Sequence, residues 1–68
     1  MLPIDPAKPA KMVRAETPWG AVRVKIGRRN GRVLTRTPEY DDCKRVAQES
    51  GVPLKEVQAA ALAAVADH

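Results

Sequence analysis

The stretch TPEYDDCKRVA, residues 37–47, predicts the start of a helix, and the rest of the chain is placed relative to it. Thr37 can act as an N-cap, and Pro38 suits the first helical position because its missing N–H would have no partner there. Acidic residues in the next turn favour the positive end of the helix dipole. Asp41 and Asp42 are expected to face solvent. Four residues recur at the three-to-four spacing of one helix face, which is expected to be buried: Tyr40, Cys43, Val46 and Ala47.

Three short strands are predicted before this helix. Apolar and polar residues alternate over Met12–Thr17, and Pro18-Trp19 with the glycine that follows suits a β-turn. Ala21–Arg28 alternates most strongly, and Asn30-Gly31 can supply the positive φ angles of a two-residue hairpin loop. Arg32–Arg36 returns as the third strand.

A second, alanine-rich helix is predicted after the first. The first helix ends near Ser50, because Gly51 suits the left-handed position that follows a helix. Pro53 then opens a second helical pattern with the apolar stripe Leu54, Val57, Ala61, Leu62 and Val65. The predicted fold class is α+β in the order β-β-β-α-α, a small three-stranded antiparallel sheet with both helices packed on one face. The core is expected to centre on Val24, Ile26, Val46, Leu54, Val57 and Leu62.

The pairing register decides which side chains each face of the sheet presents. Two-residue loops set Arg14 opposite Arg23 and Lys25 opposite Arg36, and such like-charge pairs cost stability unless an anion sits on them. In the alternative, a three-residue loop with a glycine bulge turns Leu34 inward. The face that the helices cover is expected to contain Val13, Ala15, Val22, Val24, Ile26, Val33 and Thr35.

The length of 68 residues allows one small domain with a thin core. Residues 1–11 carry three regularly spaced prolines and predict a flexible linker, and residues 12–68 predict the domain. So small a domain is expected to form a homo-oligomer or to belong to a larger protein. The single cysteine indicates a reducing compartment, for which the cytoplasm is the default, and no apolar run is long enough for a membrane span.

The charge of the chain favours an anionic partner. Twelve Lys and Arg against eight Asp and Glu give a net charge of +4. Arg23, Lys25 and Arg36 are the candidates for binding phosphate, although a merely solvated face explains these charges equally well. Nucleic acid is a weaker candidate, because base stacking needs several aromatic residues and the sheet offers little beyond Trp19. Trp19 itself is expected to pack or to make a subunit contact.

The adjacent carboxylates Asp41 and Asp42 are the candidate metal site, since such groups suit a hard divalent cation. Aspartates in a first helical turn more often only stabilise the helix end, and this is the favoured explanation. In a cyclic oligomer the same aspartate of each subunit can converge on one ion. No catalytic residue is predicted, because the single histidine is the last residue and no serine has an obvious base.

Three blocks of the sequence resemble a known family. They are ETPWGAVRVKI from Glu16, NGRV from Asn30 and PEYDDCKRVAQESGVPLKEVQAAALAA from Pro38. In this order, and with these short intervals, they resemble the C-terminal end of the nickel insertion proteins of the LarC family. The resemblance spans residues 16–64 and departs from the family pattern at Thr35, Arg36 and Asp41.

The resemblance implies a role in making the nickel-pincer nucleotide cofactor of lactate racemase. The family inserts nickel, its substrate, into pyridinium-3,5-bisthiocarboxylic acid mononucleotide in a lyase-class reaction that uses CTP. The implied ligands are CTP with manganese or magnesium and the pyridinium mononucleotide, and the implied partner is the remainder of a longer protein. This segment is not expected to be active alone. The competing hypothesis is a small basic module, without enzymatic role, that binds nucleic acid or protein.

Overall fold

Three strands and two helices follow one another in the predicted order. The structure is a computed structural model, and it describes residues 11–68. The α+β class, with a three-stranded antiparallel sheet followed by two helices, is confirmed. Lys11 opens the first strand, and the remainder of the predicted linker, residues 1–10, lies outside the described residues. The elements are β1 Lys11–Thr17, β2 Gly20–Arg29, β3 Arg32–Pro38, α1 Tyr40–Ser50 and α2 Leu54–Ala64.

The sheet is antiparallel, and β2 is its middle strand. Both connections are the predicted two-residue loops, because Thr17 pairs with Gly20 and Arg29 with Arg32. In the Asn30-Gly31 loop the two φ angles are 53° and 76°. These left-handed values give a turn whose twist matches that of the flanking strands.

The β1–β2 register agrees with the prediction. Ala15 lies opposite Val22, and both are buried. Val24 is also buried whereas Lys25 is exposed, so the aliphatic side chains of the middle strand point towards the helices.

The β2–β3 register differs from the prediction because β3 contains a bulge. Gly27 lies opposite Thr35 and Arg28 opposite Val33, which leaves Leu34 as the extra residue. An extra residue moves the rest of a strand to the opposite face. Thr35 therefore lies beside Gly27 on the face of the sheet away from the two helices, and its predicted place in the core is wrong.

The predicted pairing of Lys25 with Arg36 is wrong for the same reason. Lys25 lies opposite Thr37 and Ile26 opposite Arg36, so Lys25 and Arg36 do not form a cross-strand pair. The alternative loop also fails, since Leu34 is 57% exposed instead of turned inward.

α1 begins two residues later than predicted. Thr37 and Pro38 still belong to β3, and Glu39 is the N-cap, with an extended backbone and no side-chain cap hydrogen bond. The backbone N–H of Glu39 donates to the carbonyl of Arg23 at 2.8 Å. The chain therefore stays on the sheet up to Glu39 and turns into the helix only afterwards.

The predicted end of α1 is confirmed. Gly51 has φ 69° and donates its N–H to the carbonyl of Ala47 at 2.9 Å, a left-handed helix end that glycine adopts without steric cost. Pro53 directly precedes α2, as expected. No helix among residues 11–68 is long and apolar enough to cross a membrane.

The core lies between the sheet and the two helices. Four of the six residues predicted at its centre are buried, and Leu54 packs against them while partly exposed. Leu62 is 37% exposed, which corrects its predicted place in the core. α2 buries residues four positions apart, and Leu62 lies about 100° around the helix from that stripe. The buried apolar residues are Ala15, Val22, Val24, Ile26, Cys43, Val46, Val57, Ala61 and Val65.

Two residues at the start of α1 have the opposite environments to those predicted. Tyr40 is 56% exposed, whereas Asp42 is only 5% exposed. The buried face of α1 thus consists of Asp42, Cys43 and Val46.

Ile26 lies fully buried on the middle strand, so we expect Ile26→Ala to be strongly destabilising. The substitution removes buried carbon atoms and leaves a cavity, at a cost of about 2 to 5 kcal/mol, a large part of the stability of a small domain. Urea unfolding followed by circular dichroism measures this loss. Leu62→Ala, an aliphatic truncation at a partly exposed position, should cost about 1 kcal/mol or less. Equal losses in the two variants would contradict the place of Leu62 outside the core.

Candidate anion-binding face

One face of the sheet, here called the outer face, is covered by neither α1 nor α2. The alternation along β2 buries its aliphatic residues beneath the helices and leaves Arg23 and Lys25 exposed on the outer face. Arg14 lies opposite Arg23, as predicted, and Met12 and Thr37 flank Lys25 on the neighbouring strands. The outer face is therefore the candidate site for an anionic ligand.

Asp42 binds Arg23 through both of its carboxylate oxygens. Oδ2 accepts hydrogen bonds from the backbone N–H and from Nε of Arg23, and Oδ1 accepts one from Nη2, each at 2.9 Å. Arg45 adds a longer contact, with its Nη1 3.8 Å from Oδ1. The side chain of Asp42 is 7% exposed and that of Arg23 is 60% exposed. A buried carboxylate thus holds a guanidinium that still faces solvent.

The position at which β3 ends explains this contact. Val24 pairs with Pro38, the last residue of β3, so the backbone of Arg23 has no further strand neighbour on that side. α1 and its cap replace the strand, because Glu39 donates to the Arg23 carbonyl and Asp42 accepts from the Arg23 N–H. A buried backbone N–H needs such a partner. Asp42 therefore points at the sheet, and its predicted exposure to solvent is wrong.

The contact with Arg23 lowers the pKa of Asp42 from 3.8 to about 2. Hydrogen bonds from the side chain and then from the backbone of Arg23 are the main causes, while burial acts in the opposite direction. The pKa of Arg23 is raised, chiefly by the hydrogen bond to Asp42 and then by its negative charge. Both groups are therefore charged at neutral pH.

Arg14 also has a carboxylate partner within the domain. Its Nε donates to Oε2 of Glu16 at 2.6 Å. Arg14 and Arg23 face each other across two strands, but each lies beside a carboxylate. The repulsion expected between these two cations is therefore offset inside the domain.

The three residues predicted to bind phosphate do not all lie together. Arg23 and Lys25 share the outer face, two positions apart on β2. Arg36 lies on the side of the sheet that the helices cover, and its Nη2 donates to the carbonyls of Ala66 at 3.4 Å and His68 at 2.6 Å. A cation just past the end of α2 stabilises the negative end of that helix.

The two aspartates of the predicted metal site differ in burial. Asp41 is exposed, whereas Asp42 is buried against Arg23. Within residues 11–68 no group of three or more His, Cys, Asp or Glu side chains could hold a metal ion. Cys43 is buried, and burial, followed by the charge of Asp42, raises the pKa of its thiol and keeps it protonated. The two carboxylates of the predicted metal pair therefore lie in different environments.

A second group of cations lies at the β2–β3 hairpin and was not among the residues predicted to bind an anion. Arg28, Arg29 and Arg32 are all exposed. An open depression of about 410 Å³ is lined by Arg29, Asn30, Arg32 and Leu34. The signal that could have revealed it is the cluster of arginines on both sides of an Asn-Gly turn.

Comparison with known proteins identifies the family. The profile of the nickel insertion protein family matches residues 7–58. The chain belongs to this family. A putative nickel insertion protein of Myxococcus xanthus is 58% identical over 53 residues, which are 78% of this chain and 14% of that relative. A pyridinium-3,5-bisthiocarboxylic acid mononucleotide nickel insertion protein of Thermotoga petrophila is 43% identical over 49 residues, 72% of this chain and 12% of that relative.

A solved structure agrees with this membership. LarC2, the C-terminal domain of a cyclometallase involved in the synthesis of the NPN cofactor of lactate racemase, in its apo form, superposes with a TM-score of 0.76 and 35% sequence identity. The match covers 84% of this chain and 39% of the LarC2 chain. The resemblance to the C-terminal segment of the LarC family is confirmed. The chain nevertheless spans only 14% and 12% of the two curated relatives described above.

Asp42→Asn is expected to destabilise the fold, because an amide cannot accept the charged hydrogen bonds of Arg23 on both of its terminal atoms. We expect a loss of about 1 to 3 kcal/mol in the free energy of unfolding, measured in urea at pH 7. The neighbouring Asp41→Asn removes the same charge at an exposed position and should cost about 0.5 kcal/mol.

The same pair of variants should differ in acid. The folded-state pKa of Asp42 is depressed, so its contribution is present above its ordinary pKa of 3.8 and is lost as the pH falls towards about 2. This contribution amounts to about 2 kcal/mol. The stability of the wild type and of Asp41→Asn should therefore fall over this interval more steeply than that of Asp42→Asn. Parallel pH profiles in all three proteins would contradict the role assigned to Asp42.

Proposed function

We propose that this chain acts within a nickel insertion protein that completes the nickel-pincer nucleotide cofactor of lactate racemase. The observation that carries the proposal is its likeness to LarC2, at 35% identity over 84% of the chain. The name of the Thermotoga relative supports the pyridinium mononucleotide as the acceptor of nickel. Nickel is then a substrate and CTP a co-substrate of a lyase-class reaction in the cytoplasm, a compartment that the free thiol of Cys43 favours.

The contribution of this chain is proposed to be binding, and the chemistry is assigned to the complete protein. The chain covers a small fraction of the length of its curated relatives. Its described residues contribute a folded sheet with exposed cations. The outer face supplies cations whose natural partner is phosphate, which both CTP and the pyridinium mononucleotide carry.

Lys25 is the proposed centre of this contact. It is exposed on the outer face, and it forms no ion pair with a carboxylate of residues 11–68. Arg23 lies two positions away, and its Nη1 donates no hydrogen bond to another of these residues. Because Asp42 holds the Arg23 guanidinium in place, Arg23 loses little conformational freedom when it binds an anion. Arg36 lies on the other side of the sheet, where it binds carbonyls past α2.

A second candidate function is a basic module that binds nucleic acid or protein without an enzymatic role. The exposed arginines of the β2–β3 hairpin favour it, since they lie outside the proposed phosphate contact. The two functions differ in ligand. A nucleotide with a divalent metal should perturb Lys25 in the first case. In the second case nucleic acid or a protein partner should bind, and the nucleotide should perturb no residue.

Charge reversal at Lys25 tests the nucleotide proposal. Lys25→Glu should weaken the binding of CTP with magnesium by about 5- to 30-fold at low salt, without unfolding the exposed outer face. Isothermal titration calorimetry measures the affinity, and added salt should weaken it. Lys55→Glu makes the same charge change at an exposed position of α2 and should change the affinity by less than about 2-fold. Unchanged affinity in Lys25→Glu would assign this part of the outer face to solvent or to a subunit contact.

The divalent ion that accompanies CTP, manganese or magnesium, is proposed to depend on assembly. Asp41 is the remaining exposed carboxylate of the predicted metal pair, and symmetry in a homo-oligomer can bring several copies of it together. Manganese should then raise the oligomer mass of the wild type and of Asp42→Asn but not of Asp41→Asn, as measured by light scattering. A mass that ignores manganese in all three proteins would exclude this site.

A further inference from the structure

We propose that the β2–β3 hairpin, residues 28–34, docks an acidic segment of a partner protein that carries an apolar side chain among its carboxylates. This role is separate from the nucleotide contact proposed for Lys25. It rests on three features of residues 11–68: arginines without an ion pair, two arginines at facing positions of the hairpin, and an exposed leucine beside them.

Six of the seven arginines of residues 11–68 fall into two groups. Arg14, Arg23 and Arg45 each lie within ion-pair distance of a carboxylate. Arg28 and Arg29 are exposed and form no ion pair with any carboxylate of residues 11–68, and the same holds for Arg32. Within residues 11–68 the hairpin thus presents three exposed arginines that lack the carboxylate contact of Arg14, Arg23 and Arg45.

The hairpin places two of these cations directly opposite each other. Arg29 pairs with Arg32 across the tight Asn30-Gly31 loop. Like charges at facing positions of a sheet are destabilising, and an anionic partner relieves the repulsion. A carboxylate-rich surface can bind both guanidinium groups and fix their orientation.

Leu34 distinguishes a protein partner from a simple anion. The bulge in β3 leaves this side chain 57% exposed, and it lines the same open depression as Arg29, Asn30 and Arg32. Phosphate alone gains nothing from a leucine, whereas an apolar side chain of a partner is removed from water when it packs there. Residues 28–34 contain no aromatic side chain, so they lack the stacking platform of a nucleic-acid site. An acidic amphipathic segment offers both kinds of contact.

Nuclear magnetic resonance titration of the 68-residue chain tests the proposal with two synthetic acidic peptides. One peptide has leucines spaced one helical turn apart between glutamates, and the other has alanine at the leucine positions. The leucine peptide should shift the backbone amides of residues 28–34 and bind about 5-fold more tightly than the alanine peptide. Leu34→Ser should abolish that difference between the peptides. Arg32→Ser should weaken the binding of both, by about 2- to 5-fold.

Arg14→Ser is the matched control, because Arg14 is an exposed arginine that already has Glu16 as its partner. It should change neither affinity by more than about 2-fold. Equal affinity of the two peptides for the wild type, or an equal loss in Arg14→Ser and Arg32→Ser, would overturn the proposal. Tighter binding of tripolyphosphate or of duplex RNA than of the leucine peptide at residues 28–34 would overturn it too, in favour of a phosphate site.

Discussion

A buried carboxylate determines where α1 meets the sheet. Asp42 lies beside Arg23 where a longer β3 would have run, and it supplies both a hydrogen-bond acceptor and a negative charge. A shift of the helix by one residue would leave the N–H of Arg23 and the carboxylate without partners, at a cost of about 1 to 3 kcal/mol for each group. Cys43 and Val46 follow Asp42 on the same buried face, so the packing of α1 on β2 depends on this anchor.

The contact between Asp42 and Arg23 also affects which cations of the outer face are available to bind a ligand. Asp42 fixes the Arg23 guanidinium through Nε and Nη2, and Glu16 contacts Arg14 through Nε. Lys25 has no such partner among the described residues, which is why the proposed nucleotide contact centres on it. The chain belongs to the nickel insertion protein family, and the proposal of a phosphate-bearing ligand rests on that membership together with the exposed charge of Lys25.

The sequence was sufficient for the order of elements, because alternation in β2, the Asn30-Gly31 turn and Gly51 are local signals. It was not sufficient for two features that depend on contacts between distant residues. The burial of Asp42 depends on where β3 leaves the neighbouring strand, and an aspartate in a first helical turn has the same local pattern whether it faces solvent or a sheet. The bulge at Leu34 likewise has no local marker, and it alone moved Arg36 away from the predicted phosphate site.

Gly27 on β2 leaves the space that the side chain of Thr35 occupies on the neighbouring strand β3. Its φ angle is not positive, so its backbone needs no glycine, but a Cβ at this position would collide with the hydroxyl of Thr35. Thr35 is β-branched and has few rotamers with which to withdraw. Relatives that keep this bulge should therefore vary the two positions together, with a side chain at position 27 where position 35 places no atom at the site of the Thr35 hydroxyl. Such covariation would mark the bulge in a sequence alignment without any structure.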